Sequence, residues 1–413
     1  MKRRKALKQI GWGLSGSILL PSLLDACASN DPGPEINYSG TVGVIGSGAA
    51  GLYAADVLRS KGVKVIIFEA QDQLGGRVCS LRNQSILQHP YIPQLSSVFP
   101  LELGAQTIVG SNSILGKIFK DYNLTSIELA PSDNTFVLGN QAKTEGDWGN
   151  DVDFIKAKNF KSDVPNKVGS GLTVNDAAVS FGVAPRGLGM VNGQISNAHG
   201  ASSTSIGIGV LAEDERLLAT SGNDLKVLQL RSNPLQDILI SRFSTVQDLV
   251  KLSTPISSVN YGGEKITLTA KDNSTFEVDK LIVTVPISIL KSGGISFAPG
   301  LPGDFTGALA KFSMGASIRV ILEFKKNFWG PATGFVWGST EVPEYFSAGV
   351  GSEFNQTLSI TVHGDKAAQY SAMSNDAIVN AIIADLDLIY AGQGTQFIRK
   401  DVNTEKNIYI IED

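Results

Sequence analysis

The residues with the clearest chemistry are Gly46-Ser47-Gly48-Ala49-Ala50-Gly51, a G-x-G-x-x-G run near the start of the chain. Each glycine has a separate task. Gly46 permits a tight turn, Gly48 has no Cβ and lets the backbone approach a pyrophosphate, and Gly51 lets a helix pack closely on a strand. Phosphate oxygens are then met by the free N–H groups and positive dipole end of the helix that follows. The elements that position this turn are legible on both sides. Residues 41–45 (TVGVI) form a short β-branched run expected to be a buried parallel strand, and residues 49–60 contain good helix formers with Leu52, Ala55 and Leu58 near one face. Lys61-Gly62 stops the helix, and residues 63–68 (VKVIIF) make a second strand that ends at Glu69, 18 residues beyond Gly51. A carboxylate about 20 residues past the last glycine accepts hydrogen bonds from ribose hydroxyls. A lone glycine motif is weak evidence, but strand, turn, helix, strand and acid in this order specify a dinucleotide crevice.

A second glycine element, Leu74-Gly75-Gly76-Arg77, follows Glu69 after a short spacer. Arginine's planar guanidinium suits phosphate oxygens. Further on come Glu102-Leu103-Gly104-Ala105, then Pro255-Ile256-Ser257-Ser258-Val259, then residues 281–286 (LIVTVP) with Leu290. Phe297-Ala298-Pro299-Gly300-Leu301-Pro302, Met314-Gly315 and Phe328-Trp329 complete the series. In this order and spacing the chain resembles the flavin-containing amine oxidase superfamily, which includes monoamine, polyamine and L-amino-acid oxidases. It shares the G-G-R region with phytoene-desaturase-like flavoproteins. The resemblance is clear over 41–110 and 251–330 and faint over 111–250.

The resemblance implies an α/β fold: an FAD-binding Rossmann-like domain of the glutathione-reductase type, with a second, mixed-sheet α+β substrate domain. It implies non-covalent FAD held by Gly46, Ser47, Gly48, Ala49, Ala50, Gly51, Glu69, Gly75, Gly76, Arg77, Gly104, Ala105 and Ile256. Arg77 is expected near the pyrophosphate, the Gly104-Ala105 segment near the flavin, and the backbone at Ile256 near adenine. For Glu102 a purely structural role, pairing with Arg77, stays open. The implied reaction is hydride transfer to the flavin from a C–H beside an amine or amino-acid nitrogen, with the cofactor carrying the chemistry. The alternatives are a phytoene-desaturase-like enzyme and a catalytically impaired flavin-binding lipoprotein.

Two departures from the family weigh on activity. Many members carry a lysine that holds a water beside the flavin, three residues after L-P; that place is Phe305 here, and the monoamine-oxidase position is Gly294. Lys291 and Lys311 lie nearby but out of register. Lys291 is either a displaced equivalent or, on balance, a solvated loop lysine. No catalytic residue is therefore assigned. The family's closing A-G-E segment and final helix are also not matched before Asp413, so the chain is expected either to be truncated or to have lost part of the flavin site.

The rest of the sequence sets limits. The 413 residues carry 35 Lys and Arg against 39 Asp and Glu, a net charge of −4, so the basic excess that drives nucleic-acid binding is missing. With 42% apolar residues the chain can bury sizeable cores. Two cysteines, Cys27 and Cys79, and three scattered histidines, His89, His199 and His363, form no metal-ligand pattern, so no metal is expected. The basic start (Lys2, Arg3, Arg4, Lys5, Lys8) and the apolar stretch to Leu24 read as an export signal with a twin-arginine resemblance. Leu24-Asp25-Ala26-Cys27 resembles a bacterial lipobox, which makes Cys27 the lipidation site of an exported, membrane-anchored protein. Ordinary cleavage to a soluble periplasmic protein is the other reading.

The expected organisation is a signal over 1–27, a linker over 28–40, FAD-binding parts over 41–110 and 251–300, and substrate-domain parts over 111–250 and 301–413. Within it, 112–122 reads as an amphipathic helix and Pro234 begins another. The Gly, Ser and Asn-rich stretch 160–210 reads as loop, either a lid or an irregular surface insertion, with the insertion favoured.

Overall fold

A computed structural model describes residues 37–81 and 101–398, apart from 221, 223, 232, 313, 340, 353 and 354, and the backbone of 409–412. The export signal, Cys27, most of the linker and His89 lie outside the described residues. The chain divides into two compact units, Met1–Cys79 with Gln236–Met314 and Ser80–Leu235 with Gly315–Asp413. It passes between them at 79/80, 235/236 and 314/315, whereas the sequence places the crossings at 110, 250 and 300.

In the first unit, alternating β and α segments build a doubly covered parallel sheet. The strand Thr41–Ile45 lies between two parallel neighbours, Lys64–Phe68 and Lys280–Val283, and Val250–Lys251 adds in parallel at the outer edge. The helix Ala49–Ser60 covers one face, burying Leu52 and Ala55 against Val42, Val44, Ile67, Leu239, Phe243 and Val246. On the other side of the strands is a four-stranded sheet in the order Thr275–Val278, Ile266–Ala270, Ile256–Asn260, Ser296–Ala298. Its Leu268, Val278 and Ile256 pack with Ile45 and Phe68. Covering on both faces explains why residues 41–45 and 64–68 read as near-continuous apolar runs. The returning strand expected to be buried at 281–286 is half-buried at Leu281, Ile282 and Val283.

The second unit is built on a seven-stranded mixed sheet. Its order is Tyr409–Glu412, Ser317–Glu323, Thr357–His363, Glu344–Ser347, Phe335–Trp337, Thr135–Leu138, Gln141–Thr144. All pairs are antiparallel except Phe335–Trp337 with Thr135–Leu138. One face carries Val320, Ile360, Tyr345 and Val336 and packs on the helix Asn375–Ile389 through Ile378, Ile382 and Leu386. Asp385 of that helix accepts hydrogen bonds from Tyr345 Oη and Ser339 Oγ at 2.5 Å each, a buried polar pin in an apolar layer.

The expected amphipathic helix at 112–122 is present as Ile114–Asp121, capped by Ser113 Oγ on Gly116 N. The loop expected over 160–210 is not. That stretch contains the helices Val174–Phe181 and Leu188–Val191, the π-helical turn Asn192–Ser196 and the start of Ile208–Ala219. Gly182 and Gly200 end helical segments in left-handed backbone, but three other glycines serve close approach. A Cβ on Gly189 would stand 2.1 Å from Gly338 O, one on Gly193 2.3 Å from Pro343 O, and one on Gly209 2.4 Å from Ser170 O. Glycine content alone cannot distinguish a loop from a helix pressed against backbone.

Candidate functional site

The glycine turn of the first unit has the geometry its sequence requires. Gly46 has φ +103°, a left-handed conformation in which a side chain is strained, and its N–H donates to Phe68 O at 2.8 Å. A Cβ on Gly51 would meet Gly46 O at 1.9 Å, so this position tolerates glycine alone. Gly48 is different, since a Cβ there meets only Gly75 O at 3.8 Å. The space beside Gly48, at the N-terminus of Ala49–Ser60, is therefore open, and Ala49 and Ala50 are exposed there. The helix has no side-chain cap and no acid in its first turn, which leaves its N–H groups directed outward for an anion.

The second glycine element joins the first. Gly48 and Gly75 form a parallel bridge, and Gly75 N donates to Ser47 O at 3.1 Å. Gly75 has φ +118° and Gly76 φ +57°, so both glycines occupy backbone that disfavours side chains. Gln236, fully buried, supports this loop from behind by donating to Leu74 O at 2.6 Å. Arg77 is exposed beside it.

Glu69 sits at the end of its strand as expected. Its Oε2 accepts from Ser47 N and Ser47 Oγ, both at 2.7 Å, and its Oε1 accepts from Gln71 N at 3.0 Å. Ser47 is thus buried as a support for the acid. A carboxylate oxygen has two acceptor sites, so Oε1 retains capacity for a hydroxyl. The segment leading to Ile256 is tied to the same place, with Thr254 N donating to Glu69 O at 2.7 Å and Ser253 N to Gln71 O at 2.8 Å. Ile256 turns its side chain into the core, which leaves its backbone for the ligand side. The structure thus gathers Gly46 to Gly51, Glu69, Gly75 to Arg77 and Ile256 around one cradle. Its donor set fits a nucleotide diphosphate and ribose.

Gly104 and Ala105 belong to the second unit. There Glu102 accepts from Ser80 Oγ at 2.5 Å and from Leu235 N at 2.9 Å. Phe305 is half-buried in the short helix Gly303–Leu309. Lys291 Nζ donates to Phe312 O, so its ammonium is held by a backbone carbonyl. Among the described residues no group of three metal-ligating side chains occurs.

Sequence reasoning missed a polar row on the second unit's sheet. Arg319, Thr361, Glu344 and Trp337 alternate with Val320, Ile360, Tyr345 and Val336, so they occupy the opposite face. Glu344 is 7% exposed. Its Oε1 accepts from Gln106 Nε2 and its Oε2 from Asn197 Nδ2, each at 3.3 Å. Burial pushes its carboxyl up to about 7, against the opposing pull of the Arg319 charge and the two amides. The available signal was a charged residue at alternate positions of an apolar strand, as in residues 317–323 (SIRVILE).

The sequence pattern of the family described as "Flavin containing amine oxidoreductase" matches residues 49–177 and 221–410, well over half the chain. The chain belongs to this family. It is 24% identical over 312 residues to mouse lysine-specific histone demethylase 1B, covering 72% of this chain and 36% of that protein. It is 25% identical over 377 residues to polyamine oxidase 2 of Arabidopsis thaliana, covering 85% and 72%. The chain thus spans about a third of the first relative and most of the second. Among solved structures, cyclohexylamine oxidase from Brevibacterium oxydans IH-35A superposes with a TM-score of 0.68 at 15% identity, over 91% of this chain and 84% of that one. Putrescine oxidase bound to putrescine gives 0.67 at 18% identity, over 90% and 84%. These similarities show the fold, a Rossmann-like FAD-binding domain with a substrate domain. The family's cofactor is FAD, and the cradle of the first unit fits its ADP half.

Proposed function

We propose that this chain is an FAD-dependent oxidoreductase that oxidises an amine or amino acid. The carrying observation is the joined glycine cradle with Glu69 braced at its rim, in a member of a flavin-containing amine oxidoreductase family. Gly46, Gly48 and Gly51 bring the backbone to the pyrophosphate, with the N–H groups of Ala49 and Ala50 facing it. Arg77 contributes its charge, and Gly75 and Gly76 carry the chain past the cofactor. Glu69 grips the ribose, the backbone at Ile256 meets adenine, and Gly104 and Ala105 pass near the flavin ring. FAD held there would supply the two-electron oxidation of an amine to an imine, which water would hydrolyse. The names of polyamine oxidase 2 and putrescine oxidase support an aliphatic amine as the first substrate class to try.

A second reading has a specific observation behind it. Phe305 stands at the family's lysine position, and Lys291 is engaged by Phe312 O. On that reading the chain binds flavin without turning over amines. Anaerobic mixing of the holoprotein with a panel of amines and amino acids decides between them. Bleaching of the flavin absorbance supports the oxidase, and an unchanged spectrum with every compound supports the second reading.

We also propose export and lipid attachment at Cys27, on the strength of the basic start, the apolar stretch and the lipobox-like Leu24 to Cys27. Radiolabelled fatty acid is expected in the wild-type protein and not in Cys27→Ser; equal labelling of both contradicts it.

A further inference from the structure

Five residues of the second unit, Glu102 to Gln106, are held at both ends by side chains of the polar row. At one end Arg319 Nη1 donates to Glu102 O at 2.9 Å and to Gly104 O at 2.6 Å. At the other, Gln106 Nε2 donates to Glu344 Oε1 at 3.3 Å, and Gln106 Oε1 accepts from Ser359 Oγ at 3.2 Å. Glu344 is common to both ends, because the charge acting on its carboxylate is that of Arg319. Its other oxygen is fixed by Asn197, which also donates to Thr361 O at 3.1 Å and accepts from His363 N at 3.0 Å.

Packing alone does not explain a carboxylate here. Burying one costs several kcal/mol unless it is well paired. The two amide contacts at 3.3 Å are long for charge-assisted bonds, which favour about 2.7–2.9 Å. Thr361 Oγ1, Trp337 Nε1 and Ser196 Oγ are buried nearby along the same row and its covering turn with no hydrogen-bond partner. A glutamine has one acceptor oxygen and would turn its NH2 against one of the two amide donors, so the site calls for a double acceptor. What the charge adds is attraction on Arg319, and through it tension on the carbonyls of Glu102 and Gly104.

We propose that Glu344 is a positioning residue that, through Arg319 and Gln106, sets the backbone of Glu102 to Gln106 and so the flavin environment. This rests on the reading that Gly104 and Ala105 pass near the flavin. The charged group that acts on Glu344 is Arg319, two strands away on the same face with Thr361 between them. Gln106, Asn197, Thr361 and Trp337 face it as neutral groups from the covering segment, the helical turn and the strands beside it.

The test compares full-length wild type, Glu344→Gln and Glu344→Asp, each with and without FAD. Hydrogen exchange at the amides of residues 102–106 in the apoprotein reads the clamp without any cofactor. Exchange there is expected to quicken about tenfold in Glu344→Gln and to recover in part in Glu344→Asp, with Gly48 to Leu52 unchanged. In the holoprotein, the visible flavin spectrum of wild type is expected to shift with pH through the neutral range, and that of Glu344→Gln to stay constant. Arg319→Lys, which retains charge but not the forked geometry, is expected to quicken exchange at Glu102 and Gly104 with the Gln106 end less affected. Unchanged exchange at 102–106 in both Glu344→Gln and Arg319→Lys overturns the proposal. If exchange responds but the flavin spectrum does not, the clamp stands and the placement of Gly104 and Ala105 beside the flavin fails instead.

Discussion

The glycine cradle of the first unit and the polar row of the second solve opposite problems. The cradle is mostly backbone, tied together by the Glu69 carboxylate. Its hydrogen bonds run between Ser47, Glu69, Gln71 and Gly75, all within 29 residues of one another. The row is made of side chains from Gln106, Asn197, Arg319, Glu344 and Ser359, spread over more than 250 residues. The cradle depends on missing side chains, and at Gly51 and Gly75 it tolerates no addition. A side-chain network depends on matched charge and hydrogen bonding, and it responds to pH. The two regions are therefore expected to fail in different ways.

The largest effect is expected at the cradle. Gly51→Val places a branched side chain where a Cβ alone would be 1.9 Å from Gly46 O. FAD affinity should fall at least about a hundredfold, read by equilibrium titration of the apoprotein. Retained binding would remove the helix-on-strand contact from the account.

Next is the row, where the effect depends on pH. The Glu344 carboxyl is raised from 4.5 to about 7 by burial. A carboxyl with a higher value folded than unfolded holds its proton more tightly when folded. Its penalty is therefore absent below about 4.5 and complete above about 7. Wild-type apoprotein should lose about 3 kcal/mol of stability from this group as pH rises across that window, a loss missing in Glu344→Gln. Urea unfolding at pH 4.5 and 8 measures the difference; parallel profiles for the two proteins would contradict it.

Glu69→Ala removes the acceptor of three hydrogen bonds as well as the ribose grip. About 2 kcal/mol, or some thirtyfold in FAD affinity, is expected. A variant within twofold of wild type would mean that Glu69 serves only to brace Ser47. The smallest effect separates structure from site. Tyr345→Phe leaves Asp385 with Ser339 alone. It should lower thermal stability by about 1–2 kcal/mol and leave FAD affinity unchanged, and a changed affinity would extend the site to the sheet's other face.

The same contrast explains what the sequence disclosed. The strands at 41 and 64, the helix between them and the roles of Gly46, Gly51 and Glu69 were legible because local spacing determines them. Ile256 was found through its neighbours in a family pattern, and the tie of Thr254 to Glu69 gives it a physical reason. Residues 160–210 were misread because Gly189 and Gly193 meet backbone more than 140 residues away, which no local window contains. Glu344 and Arg319 were invisible for a related reason. Each looks like an ordinary charged residue in an alternating strand until register places them on one face.

The central claim is that the cradle clasps the ADP half of FAD. Calorimetric titration of the apoprotein with FAD, ADP and riboflavin tests it directly. ADP should bind and compete with FAD, Glu69→Ala should weaken both by the same factor, and riboflavin should bind far more weakly than either. Riboflavin binding as tightly as FAD, with ADP failing to compete, would contradict the account.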